Sequence, residues 1–297
     1  MSALSGPIRA KAHVLHCLRA LLHEEGFTEA VTPVARRADL GVGRRVPAGL
    51  HEGRYLRAMI GPALRVNVSA DLPRVYEIGP CFRPESPDAL HAAEFTMLDL
   101  YAAHLGFADL IDLAWRLVGP HLPSYTPERL SIADHVYDEF GIDLHTDPFG
   151  DLHPRMAARI GADAGEPFRD VLGRYIALEL EAGSEGRAVF LTDYPTGGDE
   201  PCARLAPGTT AVLERFELIV DGIELVHGYT DETDRNAFTE RAKAVGLYDD
   251  EQQLAQEAIE AGYVPADTAG LGIGIERLCA ASASLRDITP FLQSPQF

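Results

Sequence analysis

Two short strand-like segments constrain this chain more than anything else in it. Arg74-Val75-Tyr76-Glu77-Ile78, within 73–82, is strand-like, the stretch from Glu94 to Tyr101 alternates its side chains with period two, and the polar, proline-containing loop 84–90 joins them. The pattern predicts a long-looped antiparallel hairpin. On its second strand Phe95, Met97, Asp99 and Tyr101 share one face, and Thr96, Leu98 and Leu100 share the other. A core face tolerates an aspartate only when it is paired, so Asp99 marks a candidate pocket face.

The rest of the chain supplies partners for that hairpin. Ile8, Val14, Leu15, Leu18, Leu21 and Leu22 at helical spacing predict a helix over 9–26 that stops at Gly26, and 27–34 reads as a strand ending near Pro33. A helix is expected over 107–118, and 121–188 reads as mainly helical with many Pro, Gly and Asp breaks. Strands return at 188–193, 214–220 and 224–229, the last two separated by the turn Asp221-Gly222. Another helical segment spans 234–261, and a glycine-rich strand from Ala269 towards Leu278 runs into a final helix. Helices interleaved with antiparallel hairpins predict an α+β fold: an antiparallel sheet flanked by helices, with 121–188 as a helical insertion in one domain over 1–297.

Bulk properties narrow the function classes. Hydrophobic residues make up 46% of the 297 positions, and no apolar run is long enough to span a bilayer. The N-terminus reads as the lead-in to an amphipathic helix and not as an export signal. The four cysteines, Cys17, Cys81, Cys202 and Cys279, are far apart with no C-x-x-C pair, which speaks against a zinc knuckle or a disulfide framework and for a reducing cytoplasm. A net charge of −19 argues against broad nucleic-acid binding, although residues 1–70 carry ten Arg/Lys against five Asp/Glu, which keeps a basic surface near the N-terminus.

Several residues have both an ordinary and a functional reading. Arg83 alone reads as a surface ion-pair residue and Phe95 alone as a core aromatic. Glu217 and Glu224, on two strands joined by Asp-Gly, are either exposed glutamates or a hard-cation site, since Mg²⁺ takes one or two carboxylates plus phosphate oxygens. The glycines of Gly270-Leu-Gly-Ile-Gly-Ile-Glu-Arg277 alternate with Leu and Ile, which is strand behaviour and not a phosphate-binding turn. Alternate glycines let another group lie flat against that strand, with Arg277 at its end.

Together these pieces resemble a family. Val75 to Glu85 followed by His91-Ala-Ala-Glu-Phe-Thr-Met-Leu-Asp-Leu-Tyr101 resembles the second signature motif of class II aminoacyl-tRNA synthetases, and Gly270 to Leu278 resembles the third. Phe190 to Pro195 and Glu214 to Asp231 are similar to the lysyl branch, as is the eight-residue step from Arg83 to His91. The resemblance implies ATP and Mg²⁺ as cofactors and an aminoacyl-adenylate as product. It implies catalytic roles for Arg83 and Arg277 and an ATP site of Arg83, Glu85, His91, Phe95, Glu217, Glu224 and Arg277, with Glu217 and Glu224 holding the metal. Phe95 and Arg277 would sandwich the adenine, Glu85 would meet its edge and His91 would approach the triphosphate tail.

The amino acid pocket departs from the lysyl pattern. Ala63 stands where lysyl enzymes place a glutamate, Asp99 stands for a second glutamate, and His227-Gly-Tyr229-Thr-Asp231 stands for Asn-Gly-Phe-x-Glu. Tyr101 and Asp231 are left to receive a side-chain amine, Asp99 an α-amino group, and Gly272 gives room beside them, so lysine or a related basic amino acid is expected. The N-terminal anticodon-binding OB-fold domain of full lysyl enzymes is expected to be absent. The outline is similar to stand-alone ligases that attach lysine or β-lysine to elongation factor P. The expected acceptor is therefore a protein such as elongation factor P, a carrier protein or a small molecule, with tRNA as an alternative. A catalytically silent regulatory subunit is the third reading, and a homodimer through 15–33 is expected by analogy.

Overall fold

The structure is a computed structural model. It describes residues 5–37, 46–47, 53–69, 71–84, 86–146, 151–163, 165–198, 202–246, 257, 259–262, 265 and 267–292. The first helix, α1 (Ser5–Glu24), buries Lys11, Val14, Leu18 and Leu22, a stripe at helical spacing, and Gly26 ends the segment with a φ of +77°. Strand β1 is only Thr28–Glu29, shorter than 27–34, because the chain then turns into a small sheet of β2 (Ala35–Arg37), β4 (Arg54–Leu56) and β3 (Val46–Pro47). The five-residue helix α2 (Gly61–Arg65) follows.

The expected hairpin is present as β5 (Arg74–Phe82) and β6 (Glu94–Ala102), in register from Arg74 opposite Ala102 to Phe82 opposite Glu94. Helix α3 (Phe107–Val118) matches its predicted span. The segment 121–188 carries helices α4 (Ile132–Phe140), α5 (Leu152–Ile160) and α6 (Phe168–Tyr175), but also strand β7 (Pro127–Ser131). It is therefore not purely helical: β7 pairs in parallel with β8 (Ala188–Pro195). Its Pro and Glu positions hid that strand, which lies at the sheet edge where proline is tolerated.

β9 (Val212–Val220), β10 (Ile223–Thr230) and β11 (Ala269–Gly274) complete an eight-stranded sheet in the order β1-β5-β6-β11-β10-β9-β8-β7. Its two outermost pairs are parallel and the rest antiparallel. The helix expected over 234–261 is described as α7 (Arg235–Ala244), while 247–256 lie outside the described residues. The last helix, α8 (Ile275–Ser282), begins directly after β11, which puts Arg277 in its first turn and not on the strand. Among the described residues no helix is long and apolar enough to cross a membrane.

The two faces of the sheet have different work. One packs Leu98, Leu100, Phe216, Leu218, Leu271 and Ile273 against α1, α3 and α8 in the main hydrophobic core. Within it Lys11 Nζ lies 2.6 Å from Glu276 Oε1, and Glu276 Oε2 accepts from the Thr96 N–H at 2.9 Å, tying α1, α8 and β6 together. The other face is covered at one side by the 121–188 helices over Leu191 and Ile219, and at the other by α2 over Met97 and Tyr101. Between these two covers the described part of the face is only partly enclosed, with the His227 and Glu224 side chains 28% and 36% exposed, and this strip forms the trough.

Candidate active site

The sheet register arranges the motif residues in rungs across that trough. Glu77, Asp99, Gly272, His227, Glu217 and Leu191 are successive partners on β5, β6, β11, β10, β9 and β8. Two residues along, Val75, Tyr101, Gly270, Tyr229 and Arg215 form a second rung. Residues two apart on a strand share a face, so segments far apart in sequence are brought to one surface.

The glycines make the trough possible. A Cβ at Gly272 would lie 2.6 Å from Asp99 Oδ1, and one at Gly270 would lie 2.7 Å from the Tyr101 ring. The groups lying flat against this strand are thus side chains of neighbouring strands. A bulge in β10 between Glu224 and Val226 lets Glu224 and His227 both belong to this region, with His227 Nδ1 3.7 Å from Glu224 Oε1.

At the open end, the Arg83 guanidinium carbon lies 5.2 Å from the centre of the Phe95 ring. Arg277 donates to Glu224 Oε2 at 3.0 Å, to the Leu90 carbonyl at 3.3 Å and to His91 Nε2 at 3.0 Å. Because a guanidinium only donates, His91 Nε2 accepts, and the ring proton lies on Nδ1 facing Asp88 at 2.8 Å. Arg277 is thus held on the Glu224 and His91 side, while Arg83 is the cation facing Phe95. Glu85 lies outside the described residues.

Three carboxylates converge near the middle. Glu217 accepts from Tyr194 Oη at 2.7 Å and from Arg215 at 2.5 Å, and the Arg215 guanidinium stacks 4.1 Å above the Tyr194 ring. Burial works against Glu224's charge, but His227 and Arg277 outweigh it and hold the carboxyl well below the usual range. Glu181 carries the cost of this crowding: burial, then Glu217 and Glu224, push its carboxyl up to about 7. Among the described residues no three His, Cys, Asp or Glu side chains form a metal cage. Glu217 and Glu224 are the carboxylates that would hold Mg²⁺ arriving with phosphate oxygens, one or two carboxylates being its usual protein share.

The deep end is closed. Asp99, 6% exposed, accepts the N–H groups of Ile60 and Gly61 on Oδ2, both at 3.0 Å, while Oδ1 faces Gly272. Burial pushes its carboxyl up against the opposing pull of His227 and those two donors. Ala63, in α2, is half-buried and leaves no side-chain polar group there. Tyr101 and Tyr229 share a hydrogen bond of 2.8 Å between their hydroxyls, and Cys202 Sγ donates to Tyr229 Oη at 3.4 Å. Asp231, fully buried, was expected to face a substrate amine; it faces Arg65, whose Nε is 2.9 Å from Asp231 Oδ1.

The whole span of motifs is matched by the family model for tRNA synthetases of class II (D, K and N), over residues 2–295. The chain belongs to that family. The lysine–tRNA ligase of Roseiflexus sp. (strain RS-1) is 29% identical over 95% of this chain and 64% of that protein. Those of Gloeobacter violaceus and Staphylococcus aureus are 30% and 28% identical, each over 95% of this chain and 63% of the relative. The chain spans somewhat under two thirds of the length of these curated relatives. Its eight-stranded, largely antiparallel sheet flanked by helices is the α+β architecture expected from the motifs.

Three residues of this candidate site escaped the sequence. Arg215 had a signal, since it lies two positions before Glu217 on the same strand face. Arg65 and Glu181 had none: each meets its partners only through tertiary folding.

Proposed function

We propose that this synthetase activates an amino acid with ATP and passes the aminoacyl group to a nucleophilic acceptor. The observation that carries the reading is the rung Asp99-Gly272-His227-Glu217, which joins the Asp99 carboxylate at the deep end to an open end bearing Arg83, Phe95 and Arg277. A carboxylate oxygen of the amino acid attacks the α-phosphorus, the bond to the bridging oxygen breaks, and pyrophosphate leaves. The acceptor then attacks the acyl carbon and AMP departs. No base is needed for the first step, because the carboxylate is already ionised at neutral pH; positioning and electrostatics supply the rate.

Arg83 meets the α-phosphate in this reading, His91 the triphosphate tail, and Phe95 the base by stacking, with Arg277 over the opposite face. Asp99 takes the α-amino group. Glu217 and Glu224 would hold Mg²⁺, which when bound neutralises charge on the phosphate oxygens. Retention of Arg83, Glu217, Glu224 and Arg277 favours an active enzyme over a silent subunit. The net charge of −19 favours a protein or small-molecule acceptor over a polyphosphate backbone.

Amino-acid-dependent exchange of pyrophosphate into ATP, across all standard amino acids plus ornithine and β-lysine, tests the reading. Exchange with at least one amino acid is expected. In Arg83→Ala it should fall by about 10²- to 10³-fold, as for loss of one donor to transition-state charge. An absence of exchange with every amino acid sinks the proposal, and full activity in Arg83→Ala removes the α-phosphate role.

A further inference from the structure

The deep end of the trough carries its own counter-charge. Arg65 and Asp231 are 2% and 0% exposed, Nε and Oδ1 are 2.9 Å apart, and Arg65 also donates to the Glu232 carbonyl at 3.2 Å while its guanidinium lies 5.9 Å from the Phe238 ring centre. The contact is an ion pair without hydrogen-bond alignment: Arg65 Nε and both Asp231 oxygens are buried with no aligned partner. Neighbouring Glu232 is met by Arg241 at 2.9 Å. The phenols Tyr101 and Tyr229 are uncharged and bonded to each other. Among the described residues of this deep end, Asp99 is the carboxylate that no cation of the chain pairs with; its hydrogen bonds come from the Ile60 and Gly61 N–H groups. One uncompensated anion receives one ammonium, the α-amino group that every α-amino acid carries.

We propose that the amino acid bound here has an uncharged side chain, because Arg65 occupies the place at Asp231 that a side-chain ammonium would need. The inference rests on the amino acid activation proposed above. A lysine, ornithine or β-lysine side chain would bring a second positive charge beside Arg65 in a buried, low-dielectric end. A side-chain carboxylate would meet Asp231 and Asp99. Either leaves a buried charge without a partner, a cost of the kind that separates substrates by orders of magnitude.

Pyrophosphate exchange by the intact protein separates the outcomes. Exchange with one or more uncharged amino acids, and a kcat/KM for lysine, ornithine and β-lysine at least about a hundredfold lower, is the result expected. A preference for any charged amino acid overturns this inference and leaves amino acid activation standing. Exchange with none overturns both. Arg65→Met supplies a second readout: with the internal cation gone, exchange with lysine should rise at least about tenfold relative to the best uncharged amino acid. A folded Arg65→Met protein, checked by circular dichroism, with an unchanged ratio would remove Arg65 as the determinant; if the variant does not fold, the wild-type panel decides alone.

Discussion

Gly272 and Asp99 face each other across β11 and β6 so closely that a methyl group at 272 would stand 2.6 Å from Asp99 Oδ1. Asp99 cannot simply swing away, since its other oxygen holds the Ile60 and Gly61 N–H groups. Gly272→Ala should therefore displace the proposed α-amino ligand. The expected result is a ~10²-fold loss in kcat/KM for the amino acid with little change in ATP binding, read by exchange kinetics and by titration with ATP. Equal loss in both would place Gly272 outside the amino acid subsite.

Lys11 and Glu276 form a buried pair at side-chain exposures of 10% and 4%. Lys11→Met leaves Glu276 charged in the core, with the Thr96 N–H its remaining hydrogen-bond donor among the described residues. A loss of about 3 kcal/mol in unfolding free energy is expected from denaturant titration. Adding Glu276→Gln should recover a substantial part of it, because the stranded charge is then gone.

Asp231 gives the fold a pH signature. Burial lifts its carboxyl from an ordinary 3.8 to about 6 despite the pull of Arg65. The folded state therefore holds a proton that the unfolded state releases between these values, so this group's contribution to stability falls as pH rises from about 3.8 to about 6 and is level above. Denaturation of wild type and Asp231→Asn across that window should show the difference between them narrowing or reversing in the direction of lost wild-type stability. Parallel profiles would contradict it.

Glu217 and Glu224 each have a guanidinium of the chain itself, Arg215 at 2.5 Å and Arg277 at 3.0 Å. The fold needs no cation to neutralise them. Chelating divalent ions should stop pyrophosphate exchange while leaving the melting temperature of the ATP-free protein unchanged. A clear drop in melting temperature would point to a structural metal.

The sequence disclosed local geometry well and tertiary pairing poorly. Alternation in 94–101 correctly sorted Met97 and Tyr101 from Leu98 and Leu100, which now sit in separate clusters on opposite faces. Alternate glycines at 270 and 272 correctly implied a close approach. The partner at Asp231 was different: Arg65 lies in a five-residue helix far away in sequence, and nothing in its neighbours signals a buried cation. Sheet order was likewise hidden, because β1, β5 and β6 reach β10 only through β11, which comes last in the chain.

Strand β7 has an engineering consequence. It flanks β8, whose backbone would otherwise end the sheet along an eight-residue, almost wholly buried segment. Trimming 121–188 as a dispensable loop would bare that edge as a template for chains to add to one another, so a minimal catalytic core must keep 127–131 to remain monodisperse.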